Sequence, residues 1–151
     1  MKKIASFTVD HTKLDEGIYI SRIAGDITTY DLRMRKPNTD DLLSNSAMHS
    51  LEHMFATIAR NSEMADKVIY FGPMGGQTGF YLLMRTSEHG AVVELIKTVL
   101  KRIVEYDGEM PGNSEIECGN YRNLSVQAAK DEASLYYNKI ANWTDKDLEY
   151  K

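Results

Sequence analysis

Apolar and polar positions along the chain switch between two periods, and the switches mark the elements. Over residues 17–24, and again over 27–35, β-branched and aromatic residues alternate with polar ones on either side of Gly25-Asp26, which predicts two strands joined by a tight turn. Within the second strand Tyr30, Leu32 and Met34 point one way while Asp31, Arg33 and Arg35 point the other. Arg33 is then either solvated, as most charged strand residues are, or turned toward a ligand. Ala47, Met48, Leu51, Met54, Phe55 and Ile58 form one stripe at helical spacing, predicting a helix from near Ser46, a residue suited to an N-cap, to about Arg60-Asn61. A brief strand over 67–71, a glycine-rich loop over 72–79 and a strand over 80–85 follow. Val92, Val93, Ile96, Val99, Leu100, Ile103 and Val104 predict a long helix over about 88–106, and residues 124–143 a last one. Residues 4–9 read as a short strand or extended arm, residues 107–114 as loop, and the polar tail 144–151 is expected to fray.

At 151 residues the chain is the size of one domain, residues 1–151, able to bury an ordinary core. Its 42% apolar content is that of a globular protein, and no run reaches the roughly twenty apolar residues of a membrane span. The basic start, Lys2-Lys3, has no apolar segment behind it to make a secretory signal, so a cytoplasmic location is expected. A net charge of −4 argues against nucleic acid or anionic lipid as partner and favours small molecules. The single cysteine, Cys118, forms no internal disulfide and is a buried apolar group, a reactive thiol or a ligand.

Candidate chemistry concentrates in His49-Ser50-Leu51-Glu52-His53. At about 100° per residue the two histidines stand about 40° apart on a helix, close enough to share one metal ion. Glu52 falls beside them, away from the apolar stripe. Arg60 returns to the same side about two turns later, roughly 10 Å along the axis, where it suits an anionic group. Taken alone, two such histidines are equally well surface residues or satisfied core partners, and the His-x-x-Glu-His order is also that of an inverted-motif metallopeptidase. A catalytic site needs a third protein ligand. The candidates are Cys118, His11 and His89; His89 sits at an expected helix terminus, whereas Cys118, next to Gly119 in a loop, is free to turn toward an ion. The glycine loop lacks the lysine and spacing of a phosphate-binding loop and reads as a turn or bulge that permits close backbone approach.

Several spaced motifs together resemble the S-ribosylhomocysteine lyases, the LuxS family: Ser6-Phe7 and Asp10-His11, Asp31-Leu32-Arg33, Pro37-Asn38, His49-Ser50-Leu51-Glu52-His53, Pro73-Met74-Gly75, Gln77-Thr78-Gly79 and Cys118-Gly119. The resemblance implies an α+β fold, an α/β sandwich of a mainly antiparallel sheet packed with helices, and a homodimer with active sites at the subunit interface. It implies one divalent metal per subunit, iron(II) with zinc or cobalt as substitutes, held by His49, His53 and Cys118. The reaction implied is cleavage of S-ribosylhomocysteine to homocysteine and dihydroxypentanedione, the precursor of autoinducer-2. In it the metal acts as a Lewis acid on a sugar oxygen while the carbonyl migrates toward the position for β-elimination. Glu52 matches the acid/base carboxylate, Ser6, His11 and Arg33 match residues lining the substrate pocket, and Arg60 matches a basic residue at the homocysteine end. Two positions depart from the pattern. Tyr70-Phe71 replaces an acid and an aliphatic residue, and Gly76 stands where the family carries its second acid/base group, a cysteine. Glycine has no proton to transfer, and loss of one such group costs about 10²–10⁴ in rate, so the expectation is a chain that binds metal and turns over poorly. The alternatives are a non-catalytic metal-containing binding protein and a metallopeptidase.

Overall fold

A computed structural model describes residues Met1–Lys151. Four strands, β1 (Gly17–Ala24), β2 (Ile27–Arg33), β3 (Val68–Pro73) and β4 (Gly79–Met84), form one antiparallel sheet in the order β1-β2-β4-β3. Three helices, α1 (Asn45–Ala59), α2 (His89–Val104) and α3 (Val126–Ile140), pack against one another and against the sheet. This is the α+β arrangement expected.

Strand alternation gives the sheet two unlike faces. Register places Ile18, Leu32 and Phe80 in one row and Tyr30, Leu82 and Phe71 in the next, all buried and all part of the core shared with the helices. Phe55 of α1 stacks on Phe71 at 4.2 Å between ring centroids, and Phe71 on Phe80 at 4.7 Å, so aromatic packing ties α1 to β3 and β4. The opposite face carries the row Tyr19, Asp31, Tyr81 and the row Gly17, Arg33, Gly79. Arg33 thus has a glycine on each neighbouring strand. At Gly79 a Cβ would come within 2.1 Å of the Leu32 carbonyl oxygen, so β2 and β4 approach as closely as they do only because that residue is glycine.

Five expectations are corrected. Residues 4–9 form no strand: Ala5–Phe7 is a 3₁₀ turn, closed by Phe7 and Thr8 amides on the Ile4 and Ala5 carbonyls, with the Thr8 hydroxyl also donating to Ala5. That local bonding takes the place of a ladder. The second strand stops at Arg33 rather than Arg35, because the Met34 and Arg35 amides converge on the single Thr78 carbonyl and the ladder ends there. The first and last helices begin at Ser44 and Ser125 caps, each accepting an amide three residues on; Ser46 is not a cap but donates to the Asn123 carbonyl. The last helix accordingly runs Val126–Ile140 rather than 124–143.

The tail does not fray. A capping box at Thr144 and Asp147 starts a 3₁₀ turn, Leu148 is buried, and its carbonyl accepts the outward amide of Ile20 on the sheet-edge strand β1. Tyr150 then stacks on Tyr19 and donates to Asp31. Covering an edge and filling a polar face compensate a segment whose composition looks solvated.

Candidate metal centre

The core stripe of α1 faces the sheet and leaves His49, Glu52 and His53 on the half-buried side. Each imidazole is fixed through Nδ1: His49 to the Asn123 side-chain oxygen at 2.5 Å, His53 to the Pro111 carbonyl at 2.8 Å. With Nδ1 donating to an oxygen acceptor, the Nε2 lone pair is the one left for a ligand. The rings stand at 89° with centroids 4.6 Å apart.

Cys118 comes to this pair from the loop before α3. The Glu117 and Cys118 amides both donate to the Ser114 carbonyl, and the Ser114 hydroxyl to Glu117, closing a turn that presents the sulfur. Its Sγ lies 3.3 Å from His49 Nε2 and accepts the Asn120 amide. Ligand atoms of His49, His53 and Cys118 all lie within 4.8 Å of one another. Tetrahedral coordination at the usual zinc distances puts sulfur and nitrogen about 3.6 Å apart. The two nitrogens and one sulfur therefore suit a borderline divalent ion with a further position open. Glu52, half-buried and beside the ligands, is committed to no salt bridge and is available for proton transfer.

A second set of residues gathers elsewhere. Ser6, His11, Arg33, Gly76, Thr78 and Tyr81 line a cleft of about 440 Å³ together with Pro37, Asn38 and the Pro73–Gly75 segment. Arg33 is not solvated, as most charged strand residues are, but buried. It donates to Asp31 and to Thr78 Oγ1, both at 2.7 Å, and its Nε has no partner. Arg35 is likewise buried, paired with Glu132 of α3 at 2.7 Å. Gly76 is exposed, its φ is ordinary, and nothing lies within 4 Å of where a Cβ would sit. In the same loop it is Gln77 that adopts positive φ, at 64°.

Arg60 is neither a ligand nor part of the cleft lining; at the end of α1 it donates to the Val68 and Ile69 carbonyls of β3. His89, the alternative third ligand, opens α2 and instead pairs with the buried Tyr30 hydroxyl at 2.5 Å. His11 lines the cleft, its Nδ1 on the Val9 carbonyl. Sequence reasoning does not pick out Asn123, Pro111 or Gly112, the groups that orient the ligands. Asn123 carries no local signal, being 74 residues from His49. Gly112 does carry one, as a glycine in a loop: its φ is +70°, and a Cβ there would lie 3.0 Å from His53 Nδ1.

Comparison with known proteins agrees with this geometry. The family model for S-ribosylhomocysteinase (LuxS) matches residues 4–147. The chain is 45% identical to S-ribosylhomocysteine lyase from Desulfotalea psychrophila and 43% identical to that from Borreliella afzelii, in each case over 99% of both chains. Similarity to the Phocaeicola vulgatus lyase is 40% identity over 99% of this chain and 97% of the relative. These matches weigh against the metallopeptidase alternative.

Proposed function

Because the chain belongs to the S-ribosylhomocysteinase (LuxS) family, we propose that it is built to cleave the thioether of S-ribosylhomocysteine, giving homocysteine and dihydroxypentanedione, and that Gly76 leaves it short of one proton-transfer group. The observation that carries this reading is the convergence of His49, His53 and Cys118 beside an uncommitted Glu52. Those three side chains would hold one divalent ion per subunit, iron(II) in the cell with zinc or cobalt able to replace it. An ion bound there supplies a Lewis acid for a sugar oxygen of the substrate. A thiolate ligand that must stay reduced suits the cytoplasm.

The remaining work belongs to the chain's own side chains. Glu52 takes a proton from one ribose carbon and returns it at another, since moving a carbonyl along the sugar requires both. Ser6, His11 and Arg33 bind the substrate from the cleft. Arg60 gives amino groups to two carbonyls and keeps further N–H donors for the carboxylate of the homocysteine end.

The site of this reading is shared by two copies. The metal triad belongs to α1 in the helical layer and to the loop before α3, whereas Arg33 stands on the sheet face turned away from the helices. The cleft lining includes none of the three ligands. Two copies of the chain related by a twofold axis can supply the two halves to each other.

Release of homocysteine thiol from S-ribosylhomocysteine by the metal-loaded protein, before and after Gly76→Cys, tests the reading. Very slow turnover that rises about 10²–10⁴-fold with the cysteine is expected. A Gly76→Cys protein that holds metal and stays silent makes the chain a binding protein. Peptide hydrolysis abolished by Glu52→Ala would make it a peptidase.

A further inference from the structure

Arg33 reaches the cleft without side chains beside it on either neighbouring strand, since its partners are Gly17 and Gly79. The Trp143 ring fills the space over Gly17, and the direction of the guanidinium within that packing is set by hydrogen bonds. Two are made by the guanidinium itself, to Thr78 Oγ1 and Asp31 Oδ2. A third acts one step away: the Tyr150 hydroxyl donates to the same Asp31 Oδ2 at 2.7 Å. Tyr150 is delivered by the tail, whose Leu148 carbonyl accepts Ile20 at 2.8 Å and whose aromatic ring stacks on Tyr19 at 4.9 Å and 20°. Burial first, and then the Asp31 charge, hold the Tyr150 phenol well above the usual tyrosine range, so it remains a donor.

We propose that Tyr150 is a positioning residue: acting through Asp31, it sets how the Arg33 guanidinium is presented to a ligand in the cleft. Asp31 is buried and its Oδ1 has no partner. With the phenol in place, Oδ2 carries two donors and the carboxylate is pinned. Without it, the carboxylate turns about its own Cβ–Cγ bond, Oδ1 competes for the guanidinium, and the fork is drawn away from Thr78. Which ligand Arg33 meets rests on the lyase reading above; the dependence of Arg33 on Tyr150 does not.

Two measurements on the full-length, zinc-loaded protein test this. The Arg33 Nη2–H signal in ¹⁵N spectra, that of the group donating to Asp31 and identified by its loss in Arg33→Lys, is expected to shift in Tyr150→Phe and to exchange with solvent about tenfold faster, as weakening of a charge-assisted hydrogen bond implies. Asp31→Asn, which keeps the size and removes the charge, is expected to move the same signal. An Arg33 signal indifferent to Tyr150→Phe overturns the proposal. Calorimetric Kd for S-ribosylhomocysteine is expected to rise about tenfold with Tyr150→Phe and to show no further loss when Arg33 is already lysine. Equal losses in both backgrounds mean Tyr150 acts only through general stability, and overturn the proposal. If the parent protein does not bind S-ribosylhomocysteine while the Arg33 signal still responds, the lyase reading of the cleft falls and the positioning role stands.

Discussion

Asn123 does two jobs with one amide. Its oxygen accepts from His49 Nδ1, its nitrogen donates to Asn45, and its backbone carbonyl accepts Ser46, so the loop before α3 is tied to the start of α1 at the residue that aims a metal ligand. Asn123→Ala is expected to weaken metal binding about 10–100-fold, as removal of a partner that orients a ligand does, with Tm of the metal-free protein little changed. Competition with a chromophoric zinc chelator measures it; unchanged affinity would mean that His49 finds its orientation elsewhere. The contrast between Asn123 and the ligands shows what could be read from the letters. His49, Glu52 and His53 are legible because helical spacing brings them together within five residues. Cys118 is legible because it is the only thiol. Asn123 is one of many asparagines, and only tertiary structure sets it against an imidazole. Gly76 was the reverse case, a residue informative because a side chain is missing, and the open space around it leaves a cysteine room.

At the scale of elements, periodicity located every strand and helix of the sheet and helical layer, and failed where a segment's partner is distant. The tail looked solvated because Lys146, Asp147 and Glu149 outnumber its apolar residues, yet Leu148 and Tyr150 alone suffice to dock it on β1. For Arg33 alternation leaves both solvent and a ligand open, since it says which side a residue takes but not what covers that side. The loop carrying Pro111 and Gly112 is an element of its own, holding His53 from behind. In Gly112→Ala, positive φ and the 3.0 Å approach to His53 Nδ1 act together. Stability is expected to fall by about 1–2 kcal/mol, and metal affinity with it as the ring is displaced; urea unfolding of the metal-free protein separates the two effects. The junction of β2 with α2 makes a pH prediction. Burial pushes the Tyr30 phenol up to about 12, and its hydroxyl pairs with His89. A phenol raised in the folded state keeps its full stabilising effect below the unfolded value of about 10, and that effect is lost as pH rises from there through about 12. The urea midpoint is expected to hold level between pH 8 and 9 and to decline over that alkaline window. Tyr30→Phe should flatten the decline, and an unaltered slope would assign it to other groups such as Tyr136, whose phenol burial also raises.

For the whole molecule, the decisive feature is that one chain carries the His49, His53 and Cys118 cluster and the Arg33 cleft on two sides of a sheet. The side that bears Arg33 also exposes Tyr70 and stands near the exposed Ile4 and Phe7, apolar surface that a second copy would cover. If two copies complete each other's sites, defects in the two halves must complement when mixed and must not when combined in one chain. On the Gly76→Cys background, one variant would lack a ligand, His49→Ala, and the other the cleft guanidinium, Arg33→Ala. Each alone is expected to be inactive. Unfolded together and refolded at equal amounts, random pairing makes half of the dimers mixed, and each mixed dimer has one site with both defects and one with neither. Recovered activity is then expected at about one quarter of the undamaged background. The double variant refolded with itself should recover none. A site contained within one chain predicts no recovery in any mixture, because every chain is damaged, so zero activity in the mixed sample, with mixed dimers verified by differently tagged subunits, would return the cleft and the metal to the same subunit.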